Sequence, residues 1–282
     1  MLETNLLCIN IHMDDINFIS PILGMVVGLF LGLASAGGAT LAVPLLVFGL
    51  NLGIAQAGPI ALLSITLSAG IGALIGLKEK VLRYKAAVFM SSFGVLFFPP
   101  GLWLAQKIPN TALLFLFGTL LLFISIRLYV EAIREARGIP NKNIAPSPCQ
   151  LNESIGALVW TSPCAMALAM AGMVAGFLSG LLGIGGGFII VPALKKYSNL
   201  PMKSVFATSL GVLVITSGVG TLMSAMNGNI PWVIAMPFAV GTIFGLLVGK
   251  ILAKRCAGSG IQQLFSIAAF MAALSLIYRS AF

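Results

Sequence analysis

The chain has 282 residues, of which 59% are hydrophobic and only 8% charged, and its mean hydropathy is +1.07. Charged residues make up about 25% of an ordinary soluble domain, so this composition excludes a water-facing surface and puts the chain in a bilayer. The formal net charge of +9 is explained by membrane topology and by anionic lipid at the cytoplasmic surface, not by nucleic-acid binding.

The N-terminus carries Glu3, Asp14 and Asp15 and has no Lys or Arg before Lys78. It lacks the basic start of a secretory signal peptide, so the first apolar segment is expected to be retained. Apolar stretches follow at 18–50, 55–77, 86–106 and 110–129, then at 155–194, 203–226, 232–252 and 262–280. Most approach the roughly 20 residues a helix needs to cross the hydrocarbon core. Nothing alternates as the strands of a barrel would. The stretches 18–50 and 155–194 are too long for one crossing, and each has a glycine cluster in the middle with Pro44 or Pro192 soon after. Such breaks at membrane depth are tolerated only where the interrupted backbone faces protein or a watery cavity.

The chain also contains itself twice. Residues 24–46 and 172–194 align without gaps at an offset of 148, with 11 of 23 positions identical, including Gly37-Gly38 against Gly185-Gly186 and Val43-Pro44 against Val191-Pro192. If each broken stretch is a hairpin of two short helices, 14 basic residues fall on one side of the membrane and only Lys107 and Arg279 on the other, as the positive-inside rule requires. A single crossing per stretch would divide the same residues nine to seven. The hairpin gives each half an odd number of crossings, so the second half enters upside down. The expected fold is therefore an all-α polytopic membrane protein with two inverted repeats, each a glycine-broken helix hairpin followed by three transmembrane helices. One membrane domain, 1–282, would comprise repeat 1 (18–129), a cytoplasmic connector (130–154) and repeat 2 (155–282), with both termini outside the cytoplasm. Re-entrant hairpins and pairs of short full crossings have the same parity, so both stay open.

Every acidic residue falls in a terminus or loop, and the one histidine, His12, precedes the first apolar stretch. Without His, Asp, Glu or paired Cys at depth there is no acid–base pair, no metal-ligand set and no buried-carboxylate proton relay. The chain is read as no enzyme, with no catalytic residues, no metal and no cofactor. Cys8, Cys149, Cys164 and Cys256 have no metal spacing and are expected to be free thiols.

Backbone and hydroxyl groups remain. A glycine cluster ahead of a short helix exposes unpaired N–H groups at the positive end of the helix dipole, and the lack of side chains lets an anion reach them. Two such helix starts, related by inversion, would converge on one small anion. Hydroxyls at Ser35, Thr66, Ser68, Thr208, Ser209, Thr216 and Ser217 are candidates to complete its shell. Glycines spaced by four, as in Gly24/Gly28/Gly32, Gly172/Gly176/Gly180 and Gly241/Gly245/Gly249, are read mainly as close helix packing.

Gly180 through Leu194 (GLLGIGGGFIIVPAL), with Ala207-Thr208-Ser209 and Ser217-Gly218, resembles the sulfite exporter TauE/SafE family of membrane permeases, and Gly32 through Leu46 is its degenerate echo. The resemblance implies export or uptake of sulfite, organosulfonates or related small anions across the cytoplasmic membrane. The candidate substrate-binding residues are Ser35, Gly37, Gly38, Pro44, Gly183, Gly185, Gly186, Gly187, Pro192, Thr208, Ser209 and Ser217. Ser35-Ala36-Gly37-Gly38-Ala39 stands where the second repeat has Gly183 to Gly187, so the second half-site is expected to grip the ligand. Expected partners are a small anionic solute, membrane lipid and, optionally, further copies of the chain. The alternatives are an importer of another small organic anion, or a membrane scaffold or partner subunit that transports nothing.

Overall fold

The computed structural model describes residues 19–33, 38–137, 149, 151–152, 157–158, 161–228, 230–255 and 259–281. The first half contains α1 (Ile19–Leu33), a 3-10 turn (Gly38–Leu41) leading into α2 (Ala42–Gly49), α3 (Ile54–Lys78), α4 (Tyr84–Lys107) and α5 (Asn110–Ala136). The second contains α6 (Ser162–Leu182), α7 (Gly187–Tyr197), α8 (Met202–Met226), α9 (Trp232–Arg255) and α10 (Ser259–Ala281). Seven of them, α3, α4, α5, α6, α8, α9 and α10, are long and apolar enough to cross a membrane. The connector adds one antiparallel pair of two-residue strands, β1 (Leu151–Asn152) and β2 (Ala157–Leu158). Within the apolar stretch that starts at 155, Ala157–Leu158 forms β2 and α6 starts at Ser162.

The duplication persists in the elements: α8 and α9 have the bounds of α3 and α4 displaced by 148 residues. It also persists in the packing, which is exchanged between halves. A Cβ on Gly24, Gly28 or Gly32 of α1 would overlap the carbonyl oxygens of Phe238, Thr242 and Leu246 on α9. A Cβ on Gly172, Gly176 or Gly180 of α6 would overlap those of Met90, Gly94 and Phe98 on α4, the same contacts displaced by 148. The glycines are packing positions because only a bare Cα lets two backbones come this close. In both pairs the partners ascend together, so the helices run parallel.

At the centre, Gly72 of α3 faces Leu210 of α8 while Gly220 of α8 faces Leu62 of α3, the order of an antiparallel pair. Lys78, at the end of α3, therefore lies at the same end of the molecule as Lys203, at the start of α8. Arg83 N–H donating to Thr208 Oγ1 (3.1 Å) and Lys250 Nζ to the Gly72 carbonyl (3.2 Å) bring the start of α4 and the close of α9 there too. This is the basic end of the bundle. Ile54 N–H donates to Asn110 Oδ1 (3.2 Å) at the opposite, neutral end, where Lys107 lies 4.0 Å over the Trp103 ring. Exposed Trp103 and Trp232 mark the neutral end and exposed Tyr84 the basic end, where amphipathic rings suit an interface.

The short helix of each hairpin is tied to the last helix of the other half. Lys195 Nζ of α7 donates to Glu131 Oε1 of α5 (2.9 Å), and Arg279 Nη1 of α10 donates to the Val47 carbonyl of α2 (3.0 Å). These four residues are also equivalent under the 148-residue offset.

The cysteine expectation is corrected at two positions: Cys149 and Cys164 form a disulfide, with Cα atoms 4.9 Å apart. The spacing of 15 residues gave no hint of it, because the connector returns to the α6 start through β1 and β2. Cys149 also donates its N–H to the Tyr197 carbonyl (3.0 Å) and accepts from Asn199 N–H (3.4 Å), so one residue clasps both ends of the α6–α7 hairpin. Both residues are fully buried. Cys8 and Cys256 lie outside the described residues.

Candidate functional site at the helix break

The α6–α7 hairpin breaks at its glycines because the chain needs backbone angles that side chains resist. Gly183 caps α6 in the left-handed conformation (φ 71°), its N–H donating to the Ser179 carbonyl (2.8 Å). Gly185 and Gly186 follow at φ 80° and 71°, where a side chain would be strained whatever the space. The walls are close as well. Gly183 rests on Gly58 of α3, Gly185 on Ser217 and Leu213 of α8, and Gly186 on the Ala175 carbonyl of α6.

Among the described residues, Ile184, Gly185 and Gly186 N–H make no main-chain hydrogen bond, and α7 opens at Gly187 with Ile189 N–H closing back on the Gly186 carbonyl (3.1 Å). The unpaired N–H groups and the helix dipole leave about half a positive charge at this helix start. Thr216 Oγ1 bonds the Val212 carbonyl (3.0 Å) and reaches Gly185 O at 3.4 Å. The hydroxyls of Ser217 and Ser179 are fully buried and have no hydrogen-bond partner among the described residues. A Cβ on Gly185 would fall 2.7 Å from Ser217 Oγ, so an unspent donor lies against the break. The level is the middle of α8, a helix of 25 residues.

A cavity of about 110 Å³ leads from the neutral end to Gly183, lined also by Gly58 and Pro59 of α3, Gln106 of α4, and Ser224 and Asn227 beyond the middle of α8. At about 30 Å³ per water, it holds three or four water molecules or one small solute. Pro59 has no N–H to offer the Ala55 carbonyl four residues back, and both residues line the cavity. No lining residue is charged.

The structure brings together Gly183, Gly185, Gly186, Gly187 and Ser217. Thr208 and Ser209 lie at least two turns from Ser217 towards the basic end, Thr208 holding Arg83 N–H and Ser209 donating to the Phe206 carbonyl (2.8 Å). Pro44 is buried within α2 and Pro192 half-buried within α7. Gly38 opens the 3-10 turn against the backbone of Phe30 and Leu31. Ser35 and Gly37 lie outside the described residues. Sequence reasoning missed Gly58 and Ser179. Gly58 had a signal in its position just before a mid-helix proline, and Ser179 in being the residue beside Gly180 in a glycine-spaced helix.

A profile of the family described as "Sulfite exporter TauE/SafE" matches residues 21–276. The chain belongs to the TauE/SafE family. The matched span begins inside α1 and ends inside α10, so family membership covers both hairpins, and with seven apolar helices this TauE/SafE chain is a multi-pass membrane protein. It is 28% identical over 261 residues (91% of this chain, 93% of the relative) to a "Probable membrane transporter protein" of Xylella fastidiosa (strain 9a5c). It is 24% identical over 270 residues (93% and 97%) to "Probable membrane transporter protein YunE" of Bacillus subtilis (strain 168). With "Probable membrane transporter protein MJ0441" of Methanocaldococcus jannaschii it shares 29% identity over 216 residues (74% and 72%). No solved structure matches the chain.

Proposed function

We propose that this TauE/SafE protein is a secondary transporter that exports a small anion, sulfite or an organosulfonate, across the cytoplasmic membrane by alternating access between two inverted halves. One observation carries the reading: the Gly183–Gly187 break holds N–H groups with no main-chain partner among the described residues beside the buried, unpartnered Ser217 hydroxyl, and an uncharged cavity reaches Gly183, the first residue of that break. An anion accepts from every donor there and asks for no counter-charge, whereas a cation finds no acceptor of opposite sign.

The antiparallel crossing of the equivalent helices α3 and α8 supports inversion, because equivalent helices then traverse the membrane in opposite directions. The exchanged glycine contacts support a rocking motion of two interlocked bodies. Gathering of basic residues at one end supports a cytoplasmic basic end, with both termini outside. Export needs no proton: an inside-negative potential favours anion exit by about 2.3 kcal/mol per charge per 100 mV, enough to drive a monoanion uphill more than about tenfold.

Proteoliposome flux of sulfite, thiosulfate, sulfate, a sulfonate and a carboxylate, with and without an imposed potential, tests the reading. Potential-driven flux of a sulfur anion is expected, and Gly186→Val is expected to abolish it without preventing membrane insertion. Absence of flux for every anion would move the protein to a partner-dependent or non-transporting role. Undiminished flux in Gly186→Val would take that glycine out of the site.

A further inference from the structure

The cavity at the neutral end has a counterpart at the basic end, found by displacing its lining residues by 148. Ala55 corresponds to Lys203, Leu102 to Lys250 and Gln106 to Lys254, and Asn227 to Glu79 in the opposite direction. Three lysines and one glutamate thus occupy the positions that are uncharged around the open cavity.

The counterpart is shut. Phe206 stands where the open cavity has Gly58, Gly76 faces Ala207 and Leu82, and Gly211 faces Leu82 and Ala87. Across this closed region the half-buried Lys250 of α9 donates its ammonium to the Gly72 carbonyl of α3 at 3.2 Å. The neutral end has no equivalent of this bond, since Leu102 replaces the lysine and Gly220, the equivalent of Gly72, faces the Phe98 ring. A cation on a membrane helix is costly and is kept where it meets a partner or a pathway. Here one partner is the neutral Gly72 carbonyl, whose main-chain role is already served by its own helix.

We propose that Lys250 is a latch and an anion-capture group: it holds the basic end closed on the Gly72 carbonyl and, with Lys203, takes a small oxyanion when that end opens. An ammonium hydrogen bond to an anion is about twice as strong as one to a neutral acceptor. An anion arriving at the basic end therefore competes the ammonium away from Gly72, and capture and opening become one event. The open cavity at the neutral end offers no such charge, so the anion leaves it readily. The potential sets the direction of net flux, and the lysines make the basic end the side of higher affinity. This inference rests on the transport reading above.

Two measurements test it. In oriented vesicles, Lys250→Met should raise the KM for radiolabelled sulfite presented at the basic end by about tenfold or more, the scale of a lost charge-assisted hydrogen bond, and change the KM at the neutral end far less. Lys250→Arg should retain most of the wild-type value. Equal shifts at both ends, or none, would overturn capture. The second measurement needs no flux: Ala207→Cys, in protein with Cys8→Ser and Cys256→Ser and the native disulfide intact, is labelled by a membrane-impermeant maleimide from the basic end. Adding Lys250→Met should speed that labelling, because the latch is gone, and an unchanged rate would overturn the latch. A wild-type protein that carries no sulfite counts against the transport reading and against capture, while the labelling still decides the latch.

Discussion

The two hairpins share their packing and differ in their polar chemistry. Gly24, Gly28 and Gly32 press on α9 as Gly172, Gly176 and Gly180 press on α4. The hydroxyls have not been kept in the same way: Ser217 corresponds to Ala69, Ser179 to Leu31 and Thr208 to Ile60, all of them buried. The second hairpin is also clasped by the Cys149–Cys164 bridge and by Cys149 on the end of α7. A glycine contact that both halves exchange is needed twice, because losing either copy opens an interface between them. A buried hydroxyl without a partner costs about 1–3 kcal/mol, and under the proposed function a bound anion offsets that cost at Ser217. The duplication therefore preserved the frame and let one half specialise.

The largest test of this contrast is Gly176→Leu, whose side chain must enter the Gly94 backbone. Neither it nor its counterpart Gly28→Leu, aimed at Thr242, should yield monodisperse protein after detergent extraction. Gly70→Leu, at a position with nothing within 4 Å, should behave like the parent. A well-folded Gly28→Leu protein would show that the first hairpin does not share the frame. Next in size is Cys164→Ser, which opens a closed loop of 15 residues and should cost up to about 3 kcal/mol in thermal unfolding. No loss would mean that the clasp stabilises nothing.

Ser217→Ala separates frame from ligand. It should weaken anion binding about tenfold while leaving the empty protein as stable as before or more so, since an unsatisfied hydroxyl disappears. Ala69→Ser should not tighten binding. The smallest effects belong to the two ties. Glu131→Gln and Arg279→Gln should each lower stability by about 1 kcal/mol or less, and a much larger loss for Glu131→Gln alone would mean that the second hairpin depends on its ion pair as the first does not.

The frame was legible because it is written in sequence-local symbols. Glycines every fourth residue, a proline after each cluster and an offset of 148 gave the breaks, the doubling and the sorting of basic residues to one end. The break at Gly183–Gly186 was legible for the same reason, since adjacent glycines do not suit a continuous helix. Which hydroxyl faces the break was not. Thr208 and Ser217 look alike in sequence, and only the register of α8 against α3 and α6 turns Ser217 to Gly185 and leaves Thr208 with Arg83. Gly58 and the Cys149–Cys164 bridge were hidden because their partners, Gly183 and the end of α7, are set by how the chain folds back. Lys250 was one of many basic residues at its end, and only its bond to Gly72 distinguishes it.

The exchanged packing of α1 has a consequence for synthesis. Gly24 leaves the ribosome early, but its partner Phe238 follows 214 residues later. At about 5–20 residues per second the glycine face of α1 waits about 10–40 s in the membrane with no partner. During that interval α2 to α8 are made and must arrange themselves around a gap. Nascent chains truncated before α9 should therefore be the substrates that membrane insertases hold and quality-control proteases remove.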